Sequence, residues 1–88
     1  MPDVIHKYPL AIDGHAGVPM PRRRRILCVQ VQAGVPCVWA VVDPDSPMVP
    51  VAFAVVGTGH AVPEDAGPYL GTVHLYGGSL VLHVFGGE

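Results

Sequence analysis

The sequence is short of charge. Only 14% of its 88 residues are charged and the formal net charge is −2, so it lacks the basic footprint of a general nucleic-acid binder. A helical stripe is also missing. No useful length carries apolar residues at i, i+3, i+4 and i+7, and eleven glycines with ten prolines leave little room for long helices. Cysteine is limited to Cys28 and Cys37. There is no Cys-x-x-Cys and no His-Glu-x-x-His, so neither a metal nor another cofactor is expected. A Walker loop and a Gly-x-Ser-x-Gly elbow are absent as well. The close carboxylate pairs, Asp43 with Asp45 and Glu64 with Asp65, sit in Pro-rich turns where such residues serve the backbone. The chain is therefore expected not to be an enzyme.

Targeting signals are equally scarce. Met1–Tyr8 carries Asp3, His6 and Lys7 and has no apolar run of the secretory kind. Ala66–Gly87 has no formal charge, yet Pro68, Gly71, Gly77 and Gly78 interrupt it and its hydrophobicity alternates. A membrane span is a poor reading of that stretch. The expectation is a cytoplasmic protein with reduced thiols.

Period-two alternation is what the chain does have. Tyr8, Leu10 and Ile12 alternate with Lys7 and Ala11, and Leu27, Val29 and Val31 interleave with Cys28, Gln30 and Gln32. Strands are also predicted at 36–43, at 49–55 with Pro50 near the start or on an edge, and at 70–76 and 79–85. Pro63–Pro68 has room for one helical turn before Gly67-Pro68 stops it. The fold class is all-β: about six short antiparallel strands in a meander, closing into a small barrel or sandwich. Residues 1–88 form one domain, with a Pro-, Gly- and Arg-rich loop at 13–25.

Turns predict registers. A two-residue loop at Ala33-Gly34 places Val31 opposite Pro36, Val29 opposite Val38, Leu27 opposite Ala40 and Cys28 opposite Trp39. Cys37 is then diagonal to Cys28, roughly 7–8 Å away, too far for a disulfide. Two free thiols follow. A Gly77-Gly78 turn, where positive φ costs glycine nothing, pairs Leu75 with Leu80, Val73 with Leu82 and Gly71 with Val84. The other face of that hairpin carries Thr72, His74, Tyr76, His83 and Phe85. It is neither plain core nor plain solvated surface, and it reads as a binding or subunit interface.

Three further places carry chemistry. Arg22, Arg23, Arg24 and Arg25 form an anion site if two guanidinium groups converge, or a solvated loop if they do not. Gly57, Thr58, Gly59 and His60 can cradle a phosphate with backbone amides and a hydroxyl, or simply end a strand. Trp39, the only tryptophan, can stack on a base or serve as a packing residue. His74 and His83 share a face, but histidines satisfied within an interface account for them better than a metal does.

Taken together, several segments resemble an uncharacterised family of small all-β proteins encoded in bacteriophage and prophage genomes. The resemblance rests on His6-Lys7-Tyr8-Pro9-Leu10, Ile26–Gln32, Gly34-Val35-Pro36, Val38–Asp43, Val56–His60, Tyr69–Thr72, Leu75–Val81 and His83-Val84-Phe85. Asp13–Arg25 departs from it by being longer and richer in arginine. The resemblance implies no catalytic residues and a setting in the cytoplasm of an infected bacterium. In that setting the expected role is counter-defence. A homo-oligomer would sequester a nucleotide-type host immune signal, with phosphates on Arg22–Arg25 and Gly57–His60 and a base on Trp39 or Tyr76. The alternatives are an inhibitor that blocks a host defence protein by direct contact, for example a CRISPR-type effector, and a minor virion or assembly component.

Overall fold

Alternating apolar side chains need a second layer to cover them, and this chain supplies that layer itself. The computed structural model describes residues 2–12 and 15–88. Among the described residues seven strands run as β1 (Val4–Pro9), β2 (His15–Pro21), β3 (Arg24–Gln32), β4 (Val35–Val42), β5 (Met48–Gly57), β6 (Tyr69–Leu75) and β7 (Leu80–Gly86). They form two antiparallel sheets, β1-β4-β3 (sheet A) and β2-β5-β7-β6 (sheet B). The arrangement is a small sandwich.

The core lies between the sheets. Val38, Ala40 and Val42 from β4 meet Val51, Phe53 and Val55 from β5 and Val73, Leu82 and Val84 from β6 and β7, all buried. Leu10 and Met20 close the same cluster. Burying a side chain of this size contributes about 1.5–3 kcal/mol, so these positions dominate the stability of a chain this small.

The hairpins keep the predicted registers next to their turns. Val31 pairs with Pro36, Val29 with Val38 and Cys28 with Trp39, and Leu75 pairs with Leu80, Val73 with Leu82 and Gly71 with Val84. Both cysteines are free thiols. At the second turn, Ser79 N–H donates to Tyr76 O at 3.2 Å across Gly77 and Gly78, whose φ values of 67° and 95° explain the two glycines.

The structure differs from simple alternation in four places. Residues 15–21, expected within a loop, form strand β2 against β5; residues 13 and 14 lie outside the described set. The first strand is Val4–Pro9, ahead of the expected one, and Ile12 is left 46% exposed. A bulge between Ile26 and Cys28 puts Ile26, not Leu27, opposite Ala40, so Leu27 turns outward. A second bulge between Tyr69 and Gly71 pairs Tyr69 with Phe85 and turns Leu70 toward the core. Pro50 lies in the half of β5 that β7 does not reach, so on that side its missing N–H breaks no ladder bond.

Candidate functional site

The arginine run starts sheet A, and neighbouring residues on a strand point to opposite sides. Arg24 pairs with Val42, a core position, so its side chain turns toward the mouth of the sandwich. There its guanidinium donates to Gly87 O at 3.2 Å and to Arg22 O at 3.1 Å. Arg23 holds Asp43 at 3.2 Å, and its backbone N–H donates to Ser46 Oγ at 2.9 Å. Arg22 N–H donates to Pro47 O. The run is thus a fixed backbone, not a free loop.

Arg22 and Arg25 are exposed, and neither side chain makes a hydrogen bond or ion pair within the chain among the described residues. The four arginines, Asp3 and Val41 line a cleft of about 400 Å³. Four positive charges less those of Asp3 and Asp43 leave a local charge of +2. Guanidinium forks without partners, presented on a tied backbone, are suited to phosphate or carboxylate oxygens.

Val41 connects this cleft to Trp39. The two lie on the outer side of β4, separated by about 6.6 Å of strand. Trp39 is half-buried between Lys7 and Cys28 in register. With Ile5, Leu27, Cys28 and Gln30 it lines an apolar hollow of about 280 Å³. Lys7 Nζ donates to Gln32 Oε1, which lays that ammonium along the same face. The sheet therefore brings the arginines and Trp39 together, as their separation in sequence does not announce. Leu27 and Ile5 were not readable as parts of this hollow. Leu27 reaches it only through the bulge, and Ile5 lies ahead of the predicted first strand.

Gly57–His60 is elsewhere. Arg22 is tied to Pro47 at the start of β5, and Gly57 ends that ten-residue strand, about 30 Å away at ordinary strand rise. One small ligand does not span both, so the phosphate site imagined across the two segments is two places. The segment is a closed turn: His60 N–H donates to Gly57 O at 3.0 Å and Thr58 N–H donates to Val81 O at 3.3 Å. Two of the amides a phosphate would use are thus engaged within the chain.

Thr58 instead joins the outer face of sheet B. Its Oγ1 lies 2.8 Å from His83 Nε2, and His83 Nδ1 lies 2.9 Å from Thr72 Oγ1. Thr72 Oγ1 in turn lies 2.6 Å from the Tyr69 hydroxyl. Phe85 takes the Tyr69 ring edge-on at a centroid distance of 5.6 Å. His74 is exposed, and Tyr76 is 74% exposed at the hairpin tip. The proposed interface residues thus share one face, but three of their polar groups are already tied to one another or to neighbours. Sequence alternation missed Tyr69 because the Leu70 bulge brings it onto this face.

Among the described residues no group of three His, Cys, Asp or Glu side chains is placed to hold a metal. No helix there is long and apolar enough to cross a membrane.

A family described as a domain of unknown function, DUF7352, matches residues 1–88, and the chain belongs to it. No curated protein and no solved structure matches the chain.

Proposed function

We propose that this member of the DUF7352 family is a non-catalytic binding protein for a small anionic ligand of nucleotide type. Its phosphates sit in the Arg22–Arg25 cleft and its planar part lies over the Trp39 hollow. One observation carries the reading: a positively charged cleft and an apolar, tryptophan-lined hollow adjoin on one sheet face through Val41. The pairing matches a ligand with one charged end and one flat, weakly polar end. Gly57–His60 has no part in this version of the site. The resemblance to small phage- and prophage-encoded proteins supports a counter-defence role, the sequestration of a host nucleotide signal.

The test is thermal and chemical denaturation of the purified chain with a panel of linear and cyclic nucleotides and with inorganic pyrophosphate. A true ligand at a hundred times its Kd stabilises the fold by about 2.7 kcal/mol and is recovered unchanged after denaturation. Arg22→Ala with Arg25→Ala abolishes that stabilisation and leaves the unliganded fold intact, because neither side chain supports the structure. Unchanged stabilisation in this double variant, or turnover of the ligand, defeats the reading.

A further inference from the structure

The central strand of sheet A is apolar on both sides. Pro36, Val38, Ala40 and Val42 face the core, while Val35, Trp39 and Val41 face outward; Cys37, on the outward side by alternation, is already covered within the chain at 2% exposure. A strand of that composition belongs between two covered faces, yet the outer face leaves Ile5 60% and Leu27 42% exposed. We propose that a second copy of this chain covers it, sheet against sheet, as an isologous pair.

The face is self-complementary, since it offers both the apolar hollow around Trp39 and the projecting Ile5 and Leu27 that border it. Its area suits a weak, reversible pair. β3 and β4 have nine and eight residues, and three strands about 4.8 Å apart give roughly 400 Å² of flat face. Two such faces bury about 800 Å², the size of a transient contact that forms only as concentration rises. A two-fold contact between identical faces closes on itself and leaves no open edge for further growth.

The pairing deepens the ligand reading and, for this step only, rests on it. A base on the Trp39 of one copy has its far side in water; between two copies both of its sides are covered. The strands of sheet A contain no Asp or Glu, whereas Lys7 and Arg25 stand on their outer face beside Trp39 and Val41. Stacking two copies therefore brings like charges together at the rim, where salt screens them and a bound anion neutralises them. Dimerisation tightens with ionic strength, and anion and second copy strengthen each other's binding by the same factor.

Sedimentation velocity on the full chain without nucleotide tests the pairing, over on the order of 1–100 µM and at physiological salt, where charges are screened beyond about 8 Å. Emission from Trp39, the sole tryptophan, reports the face directly. The expected result is a concentration-dependent dimer whose formation shifts that emission to the blue. Ile5→Glu and Leu27→Glu each weaken it by roughly tenfold or more with unchanged circular dichroism, and with an unchanged thermal midpoint at concentrations where all the proteins are monomeric, while Tyr76→Glu at the β6–β7 turn leaves it alone. A chain that stays monomeric throughout, or a dimer indifferent to both face variants, overturns the proposal. So does a monomer whose Trp39 emission shifts on phosphatidylglycerol vesicles, which assigns the face to a lipid surface. Because no ligand is present, failure here leaves the nucleotide reading standing, and a Leu27-sensitive dimer that binds no nucleotide separates the two the other way.

Discussion

Gly71 decides how closely the two sheets approach along one seam. A Cβ placed there lies 2.7 Å from Val29 Cγ1, about 1 Å inside the usual 3.5–4.0 Å carbon contact. Val29 is 7% exposed in the core, and a β-branched side chain has little freedom at χ1 to move aside. Gly71 has no positive φ, so local considerations alone favour Gly71→Ala by about 0.4–1 kcal/mol through the unfolded chain. Overpacking costs about 1–3 kcal/mol, and the clash wins. Gly71→Ala is expected to destabilise by about 1–2 kcal/mol and to lower Tm by roughly 4–16 °C in a domain of this size. Val29→Ala alone costs about 2 kcal/mol by opening a cavity. In the double variant the new methyl fills that cavity, so Gly71→Ala becomes neutral or stabilising. Guanidinium denaturation of the four proteins closes the cycle and gives a coupling of at least about 1 kcal/mol. If the two changes add to within about 0.5 kcal/mol, β3 and β6 do not meet there and the seam is wrong.

Three other outcomes follow from particular side chains. Ile26→Ala is expected to cost about 2 kcal/mol or more and Leu27→Ala under about 1 kcal/mol, the reverse of what alternation from Val29 implies; equal losses in denaturant melts dispose of the bulge. In dilute, monomeric chain a thiol reagent under native conditions modifies Cys28 promptly, while Cys37, 2% exposed, reacts only at the rate of unfolding; two fast thiols contradict its burial. Burial raises the Tyr8 hydroxyl above its ordinary pKa of 10.0, so the folded chain holds that proton more tightly than the unfolded one. The contribution is complete below pH 10.0 and is lost as pH rises through the folded value. Tyr8→Phe removes that part of the alkaline destabilisation, and identical pH–stability curves for the two proteins refute it.

Much of the sandwich was legible because alternation and turns are local. Val29 opposite Val38 and Val73 opposite Leu82 follow from two short loops and the period of a strand. The candidate site was legible only in part. Residue type identifies Arg22–Arg25 and Trp39, but it also groups Gly57–His60 with them, although ten residues of β5 hold that segment apart. Strand β2 stayed hidden because Gly17, Pro19 and Pro21 are poor strand formers. Its pairing with β5 supplied what propensity withheld.

By itself, then, the sequence determined the all-β class, the hairpin registers next to both turns and the two free thiols, since each depends on residues near in the chain. Which strands share a sheet was decided only by folding. So was the outward turn of Leu27, and so was the meeting of the arginine cleft with Trp39. These depend on bulges and on pairings between distant strands, such as β1 with β4 and β2 with β5. Such pairings are selected by the packing of a common core, and no local pattern records that.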